Sequence, residues 1–305
     1  MTTSTEPEPL YHYTSQKGLL GILQNHKLRM TNILYMNDSN EFSHPMDFLK
    51  TECLRETLNI LLSMRMKIPD YSGHKTFKEE IYLKGMNIFV FSLSEKGNDL
   101  SQWRGYCPDT GGFCIEFDRE KLFNIVEKKE HLEIKECSYM TNEMIRERLD
   151  SLLTKSTYTT LEGEQLVEHN YKDVDVSEIN KILYDFLTNR MLNLNDISRI
   201  DNILNELIKE CPFWKDKSFQ DEKECRIIYR YEGEGKDIKF DEGKSMIKPY
   251  YEIEFKGDDK LPISKIIVGP TPHPELSKLS VESLLKSEKY EGVEVEISKI
   301  PYRSW

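Results

Sequence analysis

Short alternating apolar blocks lie near both ends of the chain, with helical rhythms between them. Leu10-Tyr11-His12-Tyr13 predicts a strand, and Thr14-Ser15 then offers hydroxyls that can cap the next helix. That helix carries Leu19, Leu20, Ile22 and Leu23 on one side and ends near Asn25. Leu28 to Ile33 predicts a second strand, followed by turn chemistry over Tyr35 to Glu41. Residues 46–66 have a helical pattern through Leu49, Cys53, Leu54, Leu58 and Leu61. Ile88 to Leu93 reads as a buried strand and residues 98–106 as a short helix. Strands are expected again at Phe113 to Phe117, Ile134 to Tyr139, Cys225 to Tyr231, Tyr250 to Phe255, Ile263 to Val268 and Val293 to Ile297, with a helix over Pro274 to Leu285. The stretch from 141 to 210 is long, charged and helical in pattern; its clearest amphipathic runs are NKILYDFLTNRMLNL and ISRIDNILNELIKE. The pattern predicts an α+β fold.

Composition narrows this. A length of 305 residues suggests two domains. The strands at both ends nevertheless read as one sheet system, so the expectation is a flexible tail over 1–9 and a single α+β domain over 10–305, interrupted by a helical insertion at about 141–210. Sixteen Tyr, 13 Phe and three Trp demand a real core. The net charge of −11 argues against wide contact with nucleic acid while leaving room for a local basic groove. There is no run of about 18 apolar residues and no basic-then-apolar leader, so no membrane partner is expected. Six scattered Cys without a CxxC pair suggest reduced thiols in a cytoplasm.

Four segments carry candidate chemistry. In LYHYTS, His12 ends a strand between Tyr11 and Tyr13: imidazole can bond a ribose hydroxyl and the rings can stack on a base. A lone strand-end His is more often simply packed. In LYMNDSNEF, Asn37, Asp38 and Glu41 cluster after Tyr35, either as caps and turns or as a polar site mouth. In FSLSEKGNDLSQWRGY, Ser92 and Ser94 share one side of an apolar strand, Trp103 and Tyr106 are three apart on a helix, and Arg104 is free to meet a phosphate. Core packing is the role expected first of Trp103. In FQDEKECRIIY, Glu222, Glu224 and Arg226 alternate onto one face at a strand start, as a catalytic set or as a salt-bridged edge. No dinucleotide fingerprint, P-loop, zinc-protease or nucleophile-elbow motif is present.

The order HYTS, NDxxE, FSLS, WxxY, GGFCIEF, ExExR, IIVGP resembles a bacterial domain-of-unknown-function family, with 141–210 as its least matched part. The same series is similar to a distant ADP-ribosyltransferase of the His-Tyr-Glu type. That resemblance implies a split mixed and antiparallel sheet with flanking helices. It implies NAD as substrate, with His12 on the ribose, Tyr106 or Tyr35 on the nicotinamide, and Glu224 or Glu222 stabilising the oxocarbenium-like transition state. Tyr11, Tyr13, Thr14, Tyr35, Asn37, Asp38, Ser92, Ser94, Trp103, Arg104 and Arg226 would line the NAD site, with Arg104 or Arg29 on the pyrophosphate. It implies a toxin or anti-phage defence effector acting on protein or nucleic acid, with a possible partner protein on the 141–210 region. On this reading, Glu224→Gln removes NAD turnover and leaves the melting curve nearly unchanged. Two alternatives stand beside it: a non-catalytic module that senses a nucleotide or a protein partner, and a metal-dependent nuclease built on Asp38, Glu41, Glu222 and Glu224.

Overall fold

The computed structural model describes residues 7–36, 87–107, 111–153, 157–162, 165–170, 206, 209–243, 245–255, 257 and 260–302. The helix expected at 46–66, the NKILYDFLTNRMLNL run, most of ISRIDNILNELIKE, and Asn37, Asp38 and Glu41 lie outside them. The chain divides into two compact units. One comprises residues 1–35, 87–137 and 218–305, the other residues 36–86 and 138–217.

The first unit is a ten-stranded mixed sheet with helices, which makes the chain α+β. Its strands are β1 (Leu10–Thr14), β2 (Lys27–Asn32), β3 (Ile88–Ser94), β4 (Phe113–Phe117) and β5 (Leu132–Glu136), then β10 (Glu224–Arg230), β11 (Lys239–Glu242), β12 (Ile247–Glu254), β13 (Ile263–Val268) and β14 (Glu294–Ile297). Among the described strands of this sheet, only β13 and β14 pair in parallel. The helices are α1 (Gln16–Asn25), α2 (Leu100–Tyr106), α3 (Arg119–Glu127) and α5 (Pro274–Ser287). Three begin on a side-chain cap: Ser15 Oγ accepts from Gly18 N at 3.2 Å, Asp99 from Ser101 N at 2.8 Å, and Asp118 from Lys121 N at 3.0 Å. α1 stops where His26 turns left-handed, at φ 52°.

The sheet forks at β3. One edge of β3 pairs with β10 along its whole length, from Glu224↔Ser94 to Arg230↔Ile88, and β5 lies beyond β10. The other edge is shared. β2 holds its beginning (Thr31↔Val90, Asn32↔Phe89) and β1 holds its end (Tyr11↔Ser94). From the fork β2 leads to β12 and β11, and β1 leads to β4, β13 and β14.

Strand alternation then sorts every side chain to one of two faces. One face carries Leu10, Phe91, Leu93, Ile115, Cys225 and Ile227, covered by apolar residues of α1, α3 and α5 to make the main core. The other carries Tyr13, Cys114 and Ile267, packed with Trp103 and Cys107 of the α2 region.

In the second unit, β6 (Ser138–Met140) pairs in parallel with β9 (Trp214–Asp216), and β7 (Thr157–Glu162) and β8 (Gln165–Asn170) form an antiparallel hairpin. Helix α4 (Asn142–Leu153) follows β6, and the Arg148 Nε donates to Glu210 at 2.9 Å. The 141–210 stretch is therefore not wholly helical. Thr157-Tyr158-Thr159-Thr160 is β-branched and aromatic, and that strand preference was outweighed by the charge pattern around it. The sequence also concealed β11, because Lys239-Phe240-Asp241-Glu242 is too short and charged to stand out.

Candidate functional site

Pairing register decides which candidates meet. Tyr11 stands opposite Ser94, and Ser94 stands opposite Glu224. Tyr11, Tyr13, Ser92, Ser94, Glu224 and Arg226 therefore share the α2 face. His12, one residue on from Tyr11, points to the main-core face with Phe91 and Leu93. His12 does not converge with Ser94 and Glu224, because alternation places neighbours on opposite sides of a sheet.

The His12 ring stacks on Phe91 with centroids 4.1 Å apart, and its Nδ1 lies 2.9 Å from the Ser92 carbonyl oxygen. Ser92 falls between the β2 and β1 pairings, in the crotch of the fork. An Nδ1–H donated to that carbonyl replaces a missing strand partner. Burial pushes the His12 pKa down to about 4, outweighing the upward pull of the Ser92 bond. The ring is thus neutral at pH 7 with its proton on Nδ1, and Nε2 is left as an acceptor. Among the described residues Nε2 has no hydrogen-bond partner. His12 is half-buried and strongly desolvated.

The linkage follows from the depressed pKa. Between about pH 6.5, the unfolded value, and about pH 4, the unfolded chain binds this proton and the folded chain does not. The His12 contribution to stability is complete above that window and is lost as pH falls through it. In an NMR titration, the His12 ring signals should stay unshifted until well below pH 6. A midpoint near 6.5 would remove the desolvated environment.

On the α2 face the groups are spent on one another. Arg226 is fully buried and Glu224 is 5% exposed. The guanidinium grips the carboxylate with two bonds, Nε to Oε1 at 2.8 Å and Nη2 to Oε2 at 3.0 Å, and both residues have further contacts. Ser94 Oγ donates to the Glu222 carbonyl at 2.6 Å and accepts from Lys96 N at 3.0 Å, closing the loop after β3. Tyr13 Oη donates to the Lys96 carbonyl at 2.7 Å and accepts from Asp99 N at 2.9 Å. Burial raises the pKa of Tyr13, and burial together with Glu116 raises that of Tyr11. Both phenols stay protonated. The Tyr11 ring fills the space above Gly97, where a Cβ would lie 2.5 Å from it.

Trp103 is core: it is 1% exposed, stands edge-on to Tyr13 at 4.9 Å, and donates from Nε1 to Asn98 Oδ1 at 3.1 Å. Arg104 is exposed and lies over the Tyr302 ring at 5.3 Å. Arg29 on β2 is taken up by Asp241 at 2.6 Å and by the Tyr250 ring at 4.2 Å. Thr14 ends β1 half-buried, and its carbonyl accepts from Cys107 Sγ at 3.5 Å. Tyr35 closes a 3-10 turn over Ile33–Tyr35 and is half-buried. Among the accessible groups, Tyr106 Oη donates to the Glu222 carboxylate at 3.1 Å, with Tyr106 39% exposed. Between the two Glu candidates, then, Glu222 is the one within reach of solvent and Tyr106 is its partner.

Two residues were missed in the sequence. Asn98, in a left-handed turn at φ 52°, joins Trp103 to the Ser298 hydroxyl; its place after Gly97 was the available signal. Gln102 is 4% exposed, one helical turn before Tyr106, and its carboxamide has no hydrogen bond among the described residues. Its i,i+4 spacing to Tyr106 was visible. Burial pushes the Cys107, Cys114 and Cys225 thiols up to about 12, so they are inert. No group of three or more His, Cys, Asp or Glu among the described residues could hold a metal ion. No helix among them is long and apolar enough to cross a membrane.

Residues 102–227 match a family model described as "Protein of unknown function (DUF2971)". The matched segment holds WxxY, GGFCIEF and ExExR, runs through 141–210, and leaves HYTS, NDxxE, FSLS and IIVGP outside it. No curated protein and no solved structure matches the chain.

Proposed function

We propose that this chain is a nucleotide-binding module in which His12 receives a ribose hydroxyl, and that it does not use Glu224 as a catalytic carboxylate. The observation that carries the reading is the neutral His12 ring. Its Nδ1 is committed to Ser92, its Nε2 is uncommitted among the described residues, and it lies on the face away from Glu224. A ribose hydroxyl that donates to Nε2 would be recognised by a direct bond in a desolvated place, where such a bond is worth more than in water. An oxocarbenium-stabilising Glu must aim at the same ribose that the His holds. Glu224 faces the other way and is neutralised by Arg226.

The test is calorimetric binding of ADP-ribose and NAD, with nicotinamide release measured in the same samples. Saturable binding without release, lost in His12→Ala and weakened at least tenfold for a ligand lacking the ribose hydroxyl, is the expected result. His12→Gln, a polar replacement, separates ligand loss from fold loss. Absence of binding to either nucleotide would sink the proposal.

One observation favours a second reading, the ADP-ribosyltransferase that modifies protein or nucleic acid as a toxin or defence effector. The sheet forks at β3 with His12 in the fork, as a split sheet would place it. That reading requires a carboxylate other than Glu224 on the His12 side. It predicts nicotinamide release that disappears in His12→Ala and persists in Glu224→Gln.

A further inference from the structure

Among the described residues, the outermost strand of the β2–β12–β11 arm pairs along one edge only. β11 is the last strand there among the described residues. Phe240 on it is 65% exposed, and Met246 and Ile247 beside it in the same hairpin are 56% and 68% exposed. Phe240 and Ile247 share one face of the hairpin by register, and exposed apolar side chains beside a strand edge are of the kind that marks an interaction site.

The hydrogen-bond phase of the hairpin shows which backbone groups are free. Gly243 N donates to the Met246 carbonyl at 3.0 Å, so the 243/246 pair is hydrogen-bonded. Antiparallel pairs alternate between bonded and non-bonded. Asp241↔Lys248 and Lys239↔Tyr250 are then bonded pairs, and Phe240↔Pro249 is a non-bonded one. Pro249, which has no N–H, fits that assignment. The N–H and C=O of Phe240 therefore point outward from the sheet edge.

We propose that two copies of this chain pair antiparallel through β11, about a two-fold axis at Phe240. In that register the outward N–H and C=O of Phe240 exchange two hydrogen bonds with Phe240 of the second copy, and the two rings stand side by side. The flanking residues match in charge: Lys239 of each copy faces Asp241 of the other, as a close non-bonded pair with opposite signs. Glu242 faces Ile238, so no like charges stand opposite. The two-fold arrangement closes on itself, giving a dimer rather than a fibre. Lys239 now binds Glu252 at 2.7 Å and is 51% exposed, which leaves ammonium protons for a second carboxylate. The strand is four residues long, so association is weak and depends on concentration.

Sedimentation velocity over a concentration series of the full chain tests this. The weight-average mass should rise toward twice the monomer for the natural sequence. It should stay monomeric for Phe240→Pro, which removes the outward N–H and the ring that meet the second copy and takes away no donor that the β11–β12 ladder uses. Lys239→Asp should also hold the chain monomeric, and Lys239→Asp with Asp241→Lys should restore association. Circular dichroism confirms that each variant is folded. A natural chain that stays monomeric at every concentration overturns the proposal, and so does a dimer that survives Phe240→Pro.

Discussion

Replacing Glu224 with Leu is expected to destabilise the fold by about 3–5 kcal/mol, because it takes the two-bond carboxylate away from the Arg226 charge in a place with no solvent. Glu224→Gln should fall in the same direction and by less, since the amide oxygen can still accept one of the two guanidinium bonds. Removing both charges, as Glu224→Leu with Arg226→Met, should recover most of the loss. A buried pair is maintained by the penalty on breaking it more than by its net attraction. Urea denaturation of the four proteins measures this. The transferase resemblance led to the opposite expectation, that Glu224→Gln would leave the melting curve nearly unchanged. An unmoved curve would mean that the two-bond grip of Arg226 on Glu224 is not part of the folded state in solution.

The same pair shows how far the sequence could be read. Glu224 and Arg226 alternate onto one face of a strand, and that was legible from spacing of two. Whether the pair was a site or a saturated ion pair was not, because ExExR reads identically at an exposed edge and under a covering helix. The burial that decides it comes from the whole sheet. The strands 88–94, 113–117 and 263–268 were legible nearly to the residue, since runs such as IFVFSL can be satisfied only inside. The relation of His12 to Ser94 was not legible. It depends on Tyr11, not His12, standing opposite Ser94, and pairing register between strands about 80 residues apart leaves no local trace. One residue of slip would have brought His12 to the Ser94 face. The fork is hidden for the same reason: nothing local to β3 announces that two strands will share one of its edges.

Trp103→Ala is expected to cost about 3–5 kcal/mol, the range for emptying a large aromatic site in a core. The ring is 1% exposed, it meets Tyr13 edge-on, and its N–H is bound by Asn98. Removing it leaves a cavity on the α2 face and takes one of two donors from the Asn98 oxygen, which keeps the Ser298 hydroxyl. A residue whose main duty was to stack on a ligand would be tolerated far better as Ala in the unliganded chain. The opposite error, overfilling, is available at the same spot. A Cβ on Gly269 would lie 2.6 Å from the Trp103 ring and 2.8 Å from the Gly112 carbonyl oxygen. Gly269→Ala should therefore destabilise by about 1–3 kcal/mol. Ring and methyl compete for one space, so the two changes should not add. In the double variant the Trp103 clash is gone and the Gly112 clash remains, because Gly269 N is tied to that same carbonyl at 2.9 Å. Chemical denaturation of the four proteins should give a double variant more stable than the sum of the single losses, yet less stable than Trp103→Ala alone. Strict additivity would show that the Gly269 constraint is set by backbone alone and that the ring does not define this packing.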